Sequence, residues 1–258
     1  MLYGARPMGL GKVRIVLHRP QSAENLGAAA RAMKNFGLGR LAVVAPAAWE
    51  GPPRGGEGGT AGEAFLARAR RVARHAGDLL DRAELHPDLR GALAGTTWAC
   101  GTTSRAMEGR PRIDPRDLAA EAARRGQVAV VFGEERRGLS DAELELCQAI
   151  CTIPTRAGYD SMNLAQAVAV VAYEIGRAPP AGAAPDVEPA RHETVEALWE
   201  RLRALLSRAG YLNPQNPDHV LAEWRRLLAR SEPSQREVEL LVAAVRSLER
   251  LLGETARR

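Results

Sequence analysis

The chain has few aromatic residues, few cysteines and no long apolar segment, and each shortage excludes a class of protein. Aromatic residues make up 4% of its 258 residues. Its three cysteines, Cys100, Cys147 and Cys151, are too few and too irregularly spaced for a disulfide framework or a structural zinc site. No apolar run reaches the roughly 18 residues that span a bilayer, and residues 1–12 carry no cleavage signature of a secretory signal. We therefore expect a soluble cytoplasmic protein with no membrane partner.

Lysine is also scarce, since it occurs only at Lys12 and Lys34, and almost every cation is an arginine. The formal net charge is +5 at pH 7. Arginine presents a planar fork of donors that matches phosphate, so the composition is compatible with a nucleic-acid partner. A genomic bias toward Ala, Gly and Arg would produce the same composition. The five histidines show no ligand spacing, and we expect no metal ion.

Short β-branched runs alternate with helical patterns over the first two-thirds of the chain. The runs have the length and composition of buried parallel strands. They lie at 13–17, 41–45, 97–101, 128–132 and 149–153. The helical patterns lie at 25–36, near 65–75, at 115–125 and at 163–177. This alternation predicts an α/β fold, with a mostly parallel sheet and helices on both of its faces.

Two segments interrupt this pattern. Residues 51–62 are Gly-rich and predict a flexible loop. A phosphate cradle is the alternative, although the segment lacks the G-K-[ST] ending of a P-loop. Residues 178–190 are rich in Pro and Ala and predict a linker between a domain at 1–177 and an extension at 191–258.

The extension shows apolar stripes at helical spacing, which predict a small all-α bundle of three helices. Gly210 ends the first helix, and Asn216-Pro217 opens the second. Ser234 and Glu237 form a capping box for the third. The extension is nearly neutral, so its sequence leaves open whether it binds RNA or supports a dimer.

A first polar motif, N-L-G-A-A-A-R from Asn25 to Arg31, follows the first strand. Ser22 is a plausible helix N-cap, and Asn25 then lies in the first turn, where free N–H groups attract anions. Arg31 follows nearly two turns later. The alternative is an ordinary amphipathic helix that exposes Arg31 and Lys34 to water.

A second motif, V-V-F-G-E-E-R-R-G-L-S, begins at Val130 inside the fourth strand and places Gly133 at the strand end. Ligands bind at the carboxyl ends of strands in open α/β sheets, and a glycine there allows close backbone approach. The alternative is a tight turn followed by a helix that is capped by Ser140 and Glu143. The two interpretations are compatible.

A third motif, S-M-N-L-A-Q-A-V, starts at Ser161 and opens a very apolar helix. Polar residues at a helix start are common as simple caps, which is the alternative here. A helix this apolar must be buried, and its N-terminus is then held rigidly at the sheet edge. Ser161 and Asn163 therefore stand where a small ligand would be bound.

In order and spacing these motifs, together with G-T-T-S-R at 101–105, resemble the SpoU branch of the SPOUT methyltransferases, which methylate RNA at the ribose 2′-hydroxyl. The resemblance implies a trefoil knot, S-adenosylmethionine as methyl donor, RNA as partner rather than DNA, and a homodimer with its sites at the interface. The C-terminal helices resemble the extension of the TrmJ subfamily. That subfamily methylates a cytidine or uridine ribose at position 32, in the anticodon loop of tRNA.

The same resemblance assigns roles to individual residues. The residues that match the functional positions of the family are Asn25, Arg31, Glu135, Ser161 and Asn163. The implied cofactor pocket comprises Thr102, Thr103, Ser104, Gly133, Ile153, Ser161 and Met162. A guanidinium does not readily lose a proton, so we interpret Arg31 as an anchor for the target phosphate rather than as a base.

Three alternatives stay open at this point. The same chemistry could act on ribosomal RNA or on another tRNA position. The chain could bind RNA without methyl transfer. A hydrolase built on Ser161 and a histidine is a third hypothesis, although the sequence has no G-x-S-x-G motif.

Overall fold

The computed structural model describes residues 10–45, 61–105, 107, 110–159, 161–179 and 187–255, which form two compact units. The first unit contains the described residues within 1–93 and 98–184, and the second contains 94–97 and those from 185 onward. Most of the expected loop, 51–60, and most of the expected linker, 180–186, lie outside the described residues. The domain boundaries expected from the sequence stay a prediction.

The described part of the first unit has seven strands. They are β1 Val13–His18, β2 Arg40–Val44, β3 Glu84–His86, β4 Trp98–Thr102, β5 Arg112–Ile113, β6 Val128–Phe132 and β7 Ala149–Cys151. The five runs expected from the sequence are all strands, although β7 ends two residues earlier than expected. Strands β3 and β5 were not predicted, because they are short and carry charged residues.

Seven α-helices lie between or after these strands in the described residues. They are α1 Ala23–Asn35, α2 Ala61–Ala73, α3 Gly77–Asp81, α4 Leu89–Leu93, α5 Pro115–Arg124, α6 Asp141–Leu144 and α7 Leu164–Arg177. The four expected helices are present. The prediction of a loop over 51–62 is wrong for its last two residues, because α2 already begins at Ala61 and Gly62 is buried. Helix α6 has the expected capping box, in which the Glu143 N–H donates to Ser140 Oγ at 3.3 Å.

All seven strands pair in parallel, in the order β3-β2-β1-β6-β4-β7-β5. Ile15 of β1 lies beside Leu41 on one side and Val130 on the other. This arrangement confirms the α/β fold class. The trefoil knot stays a prediction.

The two faces of the sheet bury two separate apolar cores, since successive strand residues point in opposite directions. Ile15 and Leu17 lie in the larger core, with residues of α1, α2, α5 and α7. Val16 and Val131 lie in the second core, with residues of α4 and α6. Helices therefore cover both faces, as the continuous apolar strands predicted.

The described part of the second unit contains the helices α8 His192–Arg208, α9 Asp218–Ser231 and α10 Gln235–Thr255. The expected capping box precedes α10, where the Ser234 N–H donates to Glu237 Oε2 at 2.7 Å and the Glu237 N–H donates to Ser234 Oγ at 3.2 Å. Gly210 follows α8 with a φ of +70°. Of the helices in the described residues, none is both long enough and apolar enough to cross a bilayer.

Candidate active site

The carboxyl ends of β4, β6 and β7 meet at one edge of the sheet and border a cavity of about 280 Å³. This edge is where ligands bind in open α/β sheets. The cavity is lined by Thr102, Thr103, Ser104, Arg105, Phe132, Gly133, Glu134, Glu135, Arg136, Arg137, Gly138, Cys151, Ile153, Thr155, Ser161, Met162, Leu164 and Ala167. All seven residues that the family resemblance assigned to the cofactor therefore lie around one cavity.

Hydrogen bonds hold the end of β4 against its two neighbours. Thr102 Oγ1 donates to the Val131 carbonyl oxygen at 2.9 Å. The Thr103 N–H donates to the Cys151 carbonyl oxygen at 3.1 Å, and Thr152 Oγ1 donates to the Thr103 carbonyl oxygen at 2.8 Å. These bonds fix the backbone of the cavity wall before any ligand arrives.

Gly133 permits a backbone contact that a larger residue would prevent. A Cβ atom at this position would lie 2.2 Å from the Gly138 carbonyl carbon and 2.4 Å from the Leu139 nitrogen. Gly138 has a φ of +68°, and its N–H donates to the Glu134 carbonyl oxygen at 2.9 Å. The two glycines thus close residues 133–138 into a tight loop that borders the cavity, as the tight-turn interpretation predicted.

Three of the five expected catalytic residues form one hydrogen-bonded chain. Asn25 Nδ2 donates to Glu135 Oε1 at 2.9 Å, and Asn163 Nδ2 donates to Asn25 Oδ1 at 2.9 Å. This chain joins the loop after β6 to the first turn of α1 and to the N-terminus of α7. The three motifs singled out in the sequence therefore meet through their side chains.

The Glu135 carboxylate also binds the backbone at the start of α1. Its Oε2 accepts the Gln21 N–H at 2.8 Å, and its Oε1 accepts the Ser22 N–H at 3.0 Å. Ser22 is the N-cap of α1, as expected, because its Oγ accepts the Asn25 N–H at 3.1 Å. A negative charge beside a helix N-terminus is favoured by the unpaired N–H groups and the helix dipole. With three donors bound, Glu135 has the geometry of a positioning residue.

Asn163 fulfils both interpretations of the third motif. Its Oδ1 accepts the Ala165 N–H at 2.9 Å and so caps α7, while its Nδ2 reaches Asn25. Ser161 is exposed at the cavity, and its hydroxyl makes no hydrogen bond with any described residue. The Ser161 hydroxyl is therefore available to a ligand.

Arg31 lies away from this cavity. It is exposed on α1 and lines a second recess together with residues at the end of α2. The structure of a single chain thus brings together Asn25, Glu135 and Asn163, places Ser161 at the cavity, and leaves Arg31 outside it.

The cavity also contains charged residues that sequence reasoning did not assign. These are Glu134, Arg136 and Arg137 of the tight loop, and Arg105. All four lie within the G-T-T-S-R and V-V-F-G-E-E-R-R-G-L-S motifs, so their signal in the sequence is their proximity to the assigned residues. No histidine is among the described residues that line the cavity, so this part of the chain provides no histidine partner for a hydrolase built on Ser161.

Burial determines the protonation of two groups beside the site. It raises the pKa of the Cys151 thiol, which lines the cavity, to about 12. This thiol is therefore protonated at neutral pH and is a poor nucleophile. Burial lowers the pKa of His18 at the end of β1, although the nearby Glu143 carboxylate acts in the opposite direction. His18 is consequently neutral at physiological pH.

Together, the parallel sheet and the cavity define an α/β protein with a candidate small-ligand site at the carboxyl edge of the sheet. The family model described as "SpoU rRNA Methylase family" matches residues 12–173, and the chain belongs to this family. A second model, described as "tRNA methyltransferase TrmJ, C-terminal domain", matches residues 193–257. The resemblance drawn from the three motifs is thereby confirmed, and S-adenosylmethionine is the methyl donor of the family.

The chain is similar over almost its whole length to proteins named TrmJ. It is 33% identical over 252 residues to the tRNA (cytidine/uridine/adenosine-2′-O-)-methyltransferase TrmJ of Pseudomonas aeruginosa, which covers 90% of this chain and 91% of that protein. It is 33% identical over 255 residues to the tRNA (cytidine/uridine-2′-O-)-methyltransferase TrmJ of Klebsiella pneumoniae, covering 93% and 97%. The crystal structure of TrmJ from Z. mobilis matches with a TM-score of 0.78 at 33% identity, covering 92% of this chain and 98% of that one.

The cavity lining fits S-adenosylmethionine. Ile153, Met162 and Ala167 are half-buried and provide apolar surface for a purine base. The hydroxyls and backbone groups of Thr103 and Ser104 provide polar contacts for a ribose or an amino-acid group. No group of three potential metal ligands occurs within the part of the chain that the structure describes.

Proposed function

We propose that the chain transfers the methyl group of S-adenosylmethionine to the ribose 2′-hydroxyl of a cytidine or uridine in tRNA, at position 32 of the anticodon loop. The central observation is that Glu135 both lines the cofactor cavity and belongs to the hydrogen-bonded chain with Asn25 and Asn163. The match of residues 193–257 to the TrmJ C-terminal domain, and the names of the relatives, favour tRNA as the substrate.

In this proposal the residues around the cavity position the substrate. The cofactor supplies a methyl group that is already activated on a sulfonium, so alignment of the ribose oxygen accounts for much of the rate. Ser161 orients the 2′-hydroxyl, since its own hydroxyl has no partner in the described structure. Asn163 holds the end of the loop that carries Ser161, and Glu135 and Asn25 hold α1 against that loop.

Arg31 anchors the phosphate of the target nucleotide and stabilises negative charge that develops on the ribose oxygen. We also propose a homodimer with its sites at the interface. The position of Arg31 outside the cavity of its own chain supports this assembly, because a second chain could then present its cavity to Arg31.

Methylation of defined tRNA transcripts tests this function. The purified protein, S-adenosylmethionine and a transcript with cytidine at position 32 should yield one ribose methyl group at that position. A transcript that carries 2′-deoxyribose at position 32 lacks the acceptor and should give no product, whereas 2′-deoxyribose at position 34 should have no effect. Methylation of both modified transcripts would contradict the assignment to position 32.

Two further arms distinguish the alternatives. Ribosomal RNA in the same assay should remain unmethylated, and methylation of ribosomal RNA alone would establish the competing substrate. Titration calorimetry with S-adenosylmethionine should show binding in the absence of RNA. A protein that binds tRNA but neither binds this cofactor nor transfers a methyl group would be a binding-only protein.

A further inference from the structure

A second recess, distinct from the cofactor cavity, lies between the C-terminal half of α1 and the end of α2. Its volume is about 530 Å³. It is lined by Arg31, Lys34, Asn35, Arg74, His75 and the small side chains of Ala73 and Ala76. The described lining therefore contains three side chains with a permanent positive charge and no carboxylate.

Asp78 compensates one of these three cations. It pairs with Lys34, and at 2.7 Å with Arg82, which lies outside the recess. Lys34 also donates to the His75 carbonyl oxygen at 2.7 Å, which fixes its position on the recess wall. Arg31 and Arg74 are exposed, and neither has an acidic partner in the described part of the chain. Within the described ranges, the recess thus has two guanidinium groups whose charge no carboxylate compensates.

Arg74 also has an unusual backbone conformation. Its φ is +54°, in the left-handed region that residues with a side chain rarely adopt, except Asn and Asp. Strained residues of this kind concentrate at binding and switch sites, where the surrounding structure maintains them. Of the four non-glycine residues with a positive φ in the described part of the chain, Arg74 is the one that lines the recess.

We propose that this recess binds a phosphate of the substrate RNA and that Arg31 and Arg74 hold it together. The proposal rests on the proposed function, because that function supplies RNA as the ligand. Guanidinium forks match phosphate oxygens in pairs, and two uncompensated forks around one recess suit a single phosphodiester. Arg74 thereby becomes a positioning residue that aligns the substrate from outside the cofactor cavity.

The test compares Arg74→Asn with Arg71→Gln. Asparagine tolerates the left-handed conformation but removes the charge. Arg71 is a matched control, since it is an exposed cation of α2 that lacks an acidic partner in the described residues and does not line the recess. tRNA affinity is measured by fluorescence anisotropy at several salt concentrations, and cofactor affinity is measured by calorimetry.

We expect Arg74→Asn to weaken tRNA binding about tenfold and to reduce the slope of log K against log salt by about one. Its melting temperature and its affinity for S-adenosylmethionine should not fall. Arg71→Gln should change tRNA affinity by less than about threefold. Arg74→Lys should recover part of the lost affinity, because it restores the charge without the fork.

Equal losses of tRNA affinity in Arg74→Asn and Arg71→Gln would overturn the proposal, since they would reflect the general positive electrostatic potential of α2 and not a specific site. Inorganic phosphate that binds the wild type, but not Arg74→Asn, with an affinity comparable to that of tRNA would also overturn it, because the recess would then be a site for the free ion. Methyl transfer by the wild type is scored separately. If the wild type transfers methyl groups and Arg74→Asn leaves its tRNA affinity unchanged, the phosphate site in the recess is refuted and the proposed function stands. If the wild type transfers no methyl group but Arg74→Asn specifically loses tRNA affinity, the proposed function is refuted and the phosphate site stands.

Discussion

Glu135→Gln is the substitution that tests most directly how the site is held together. Glutamine has nearly the same shape as glutamate, but it has one acceptor oxygen and an NH2 group in place of the second oxygen. The Glu135 carboxylate accepts the Gln21 and Ser22 N–H groups and the Asn25 amide at 2.8–3.0 Å. In either orientation of the new amide, its NH2 group faces at least one of these donors.

The structure sets the size of the effect. A half-buried donor that loses a charged partner costs about 1.5–3 kcal/mol. Loss of a negative charge at the α1 N-terminus adds about 0.3–1 kcal/mol. Because Glu135 is half-buried, we expect the free energy of unfolding to fall by about 2–3 kcal/mol. Affinity for S-adenosylmethionine should fall as well, since Glu135 belongs to the loop that borders the cavity.

Urea denaturation and cofactor calorimetry measure these two quantities. Glu134→Gln is the control for stability, because Glu134 is the adjacent residue and its side chain makes, among the described residues, one ion pair, at 3.9 Å with exposed Arg137. That substitution should cost less than about 0.5 kcal/mol. Indistinguishable urea midpoints for Glu135→Gln and Glu134→Gln would show that the carboxylate does not hold α1 in place.

Three further predictions concern packing and protonation. Gly133→Ala should weaken cofactor binding and destabilise the fold by about 1–3 kcal/mol, whereas Gly39→Ala, whose Cβ meets nothing within 4 Å, should be neutral in both assays. Burial raises the pKa of Cys147 and Cys151 to about 12, so iodoacetamide should label both thiols only in denaturant, and labelling of the native protein at pH 8 would contradict their burial. Burial lowers the pKa of His18 below 6.5, so the unfolded state takes up this proton first and stability should decline as pH falls below that value. Replacing His18 with Asn should flatten that decline in urea titrations, and an unchanged pH profile would exclude His18 as its source.

The fold was largely predictable because its central strands are continuous apolar runs. All five residues of β6 are buried, so both faces of this strand are apolar, and such a run is readily recognised as a strand of a parallel sheet. Strands β3 and β5 escaped prediction because they lie at the two ends of the strand order, where burial is incomplete. Their sequences, E-L-H and R-I, contain no apolar run to detect.

The site was predictable in its members but not in its connections. The motifs placed Asn25, Glu135 and Asn163 at strand or helix ends, and the family resemblance assigned functional roles to them. Their hydrogen bonds join residues 110 and 138 positions apart, and no local pattern encodes such a pairing. The position of Arg31 outside the cavity was equally inaccessible, because it depends on how α1 packs against α2.

The strand order has a consequence for how the protein is made. Strand β1 pairs with β2, which follows it closely, but its other neighbour, β6, begins only at Val128. While a ribosome translates the intervening residues, the edge of β1 that will bind β6 has no native partner. An unpaired strand edge can form hydrogen bonds with strands of other chains, which leads to aggregation. The emerging polypeptide thus passes through an interval in which the unpaired edge of β1 is open to such pairing. Insertion of β6 ends that interval and, in the same step, brings the Glu135 carboxylate to α1.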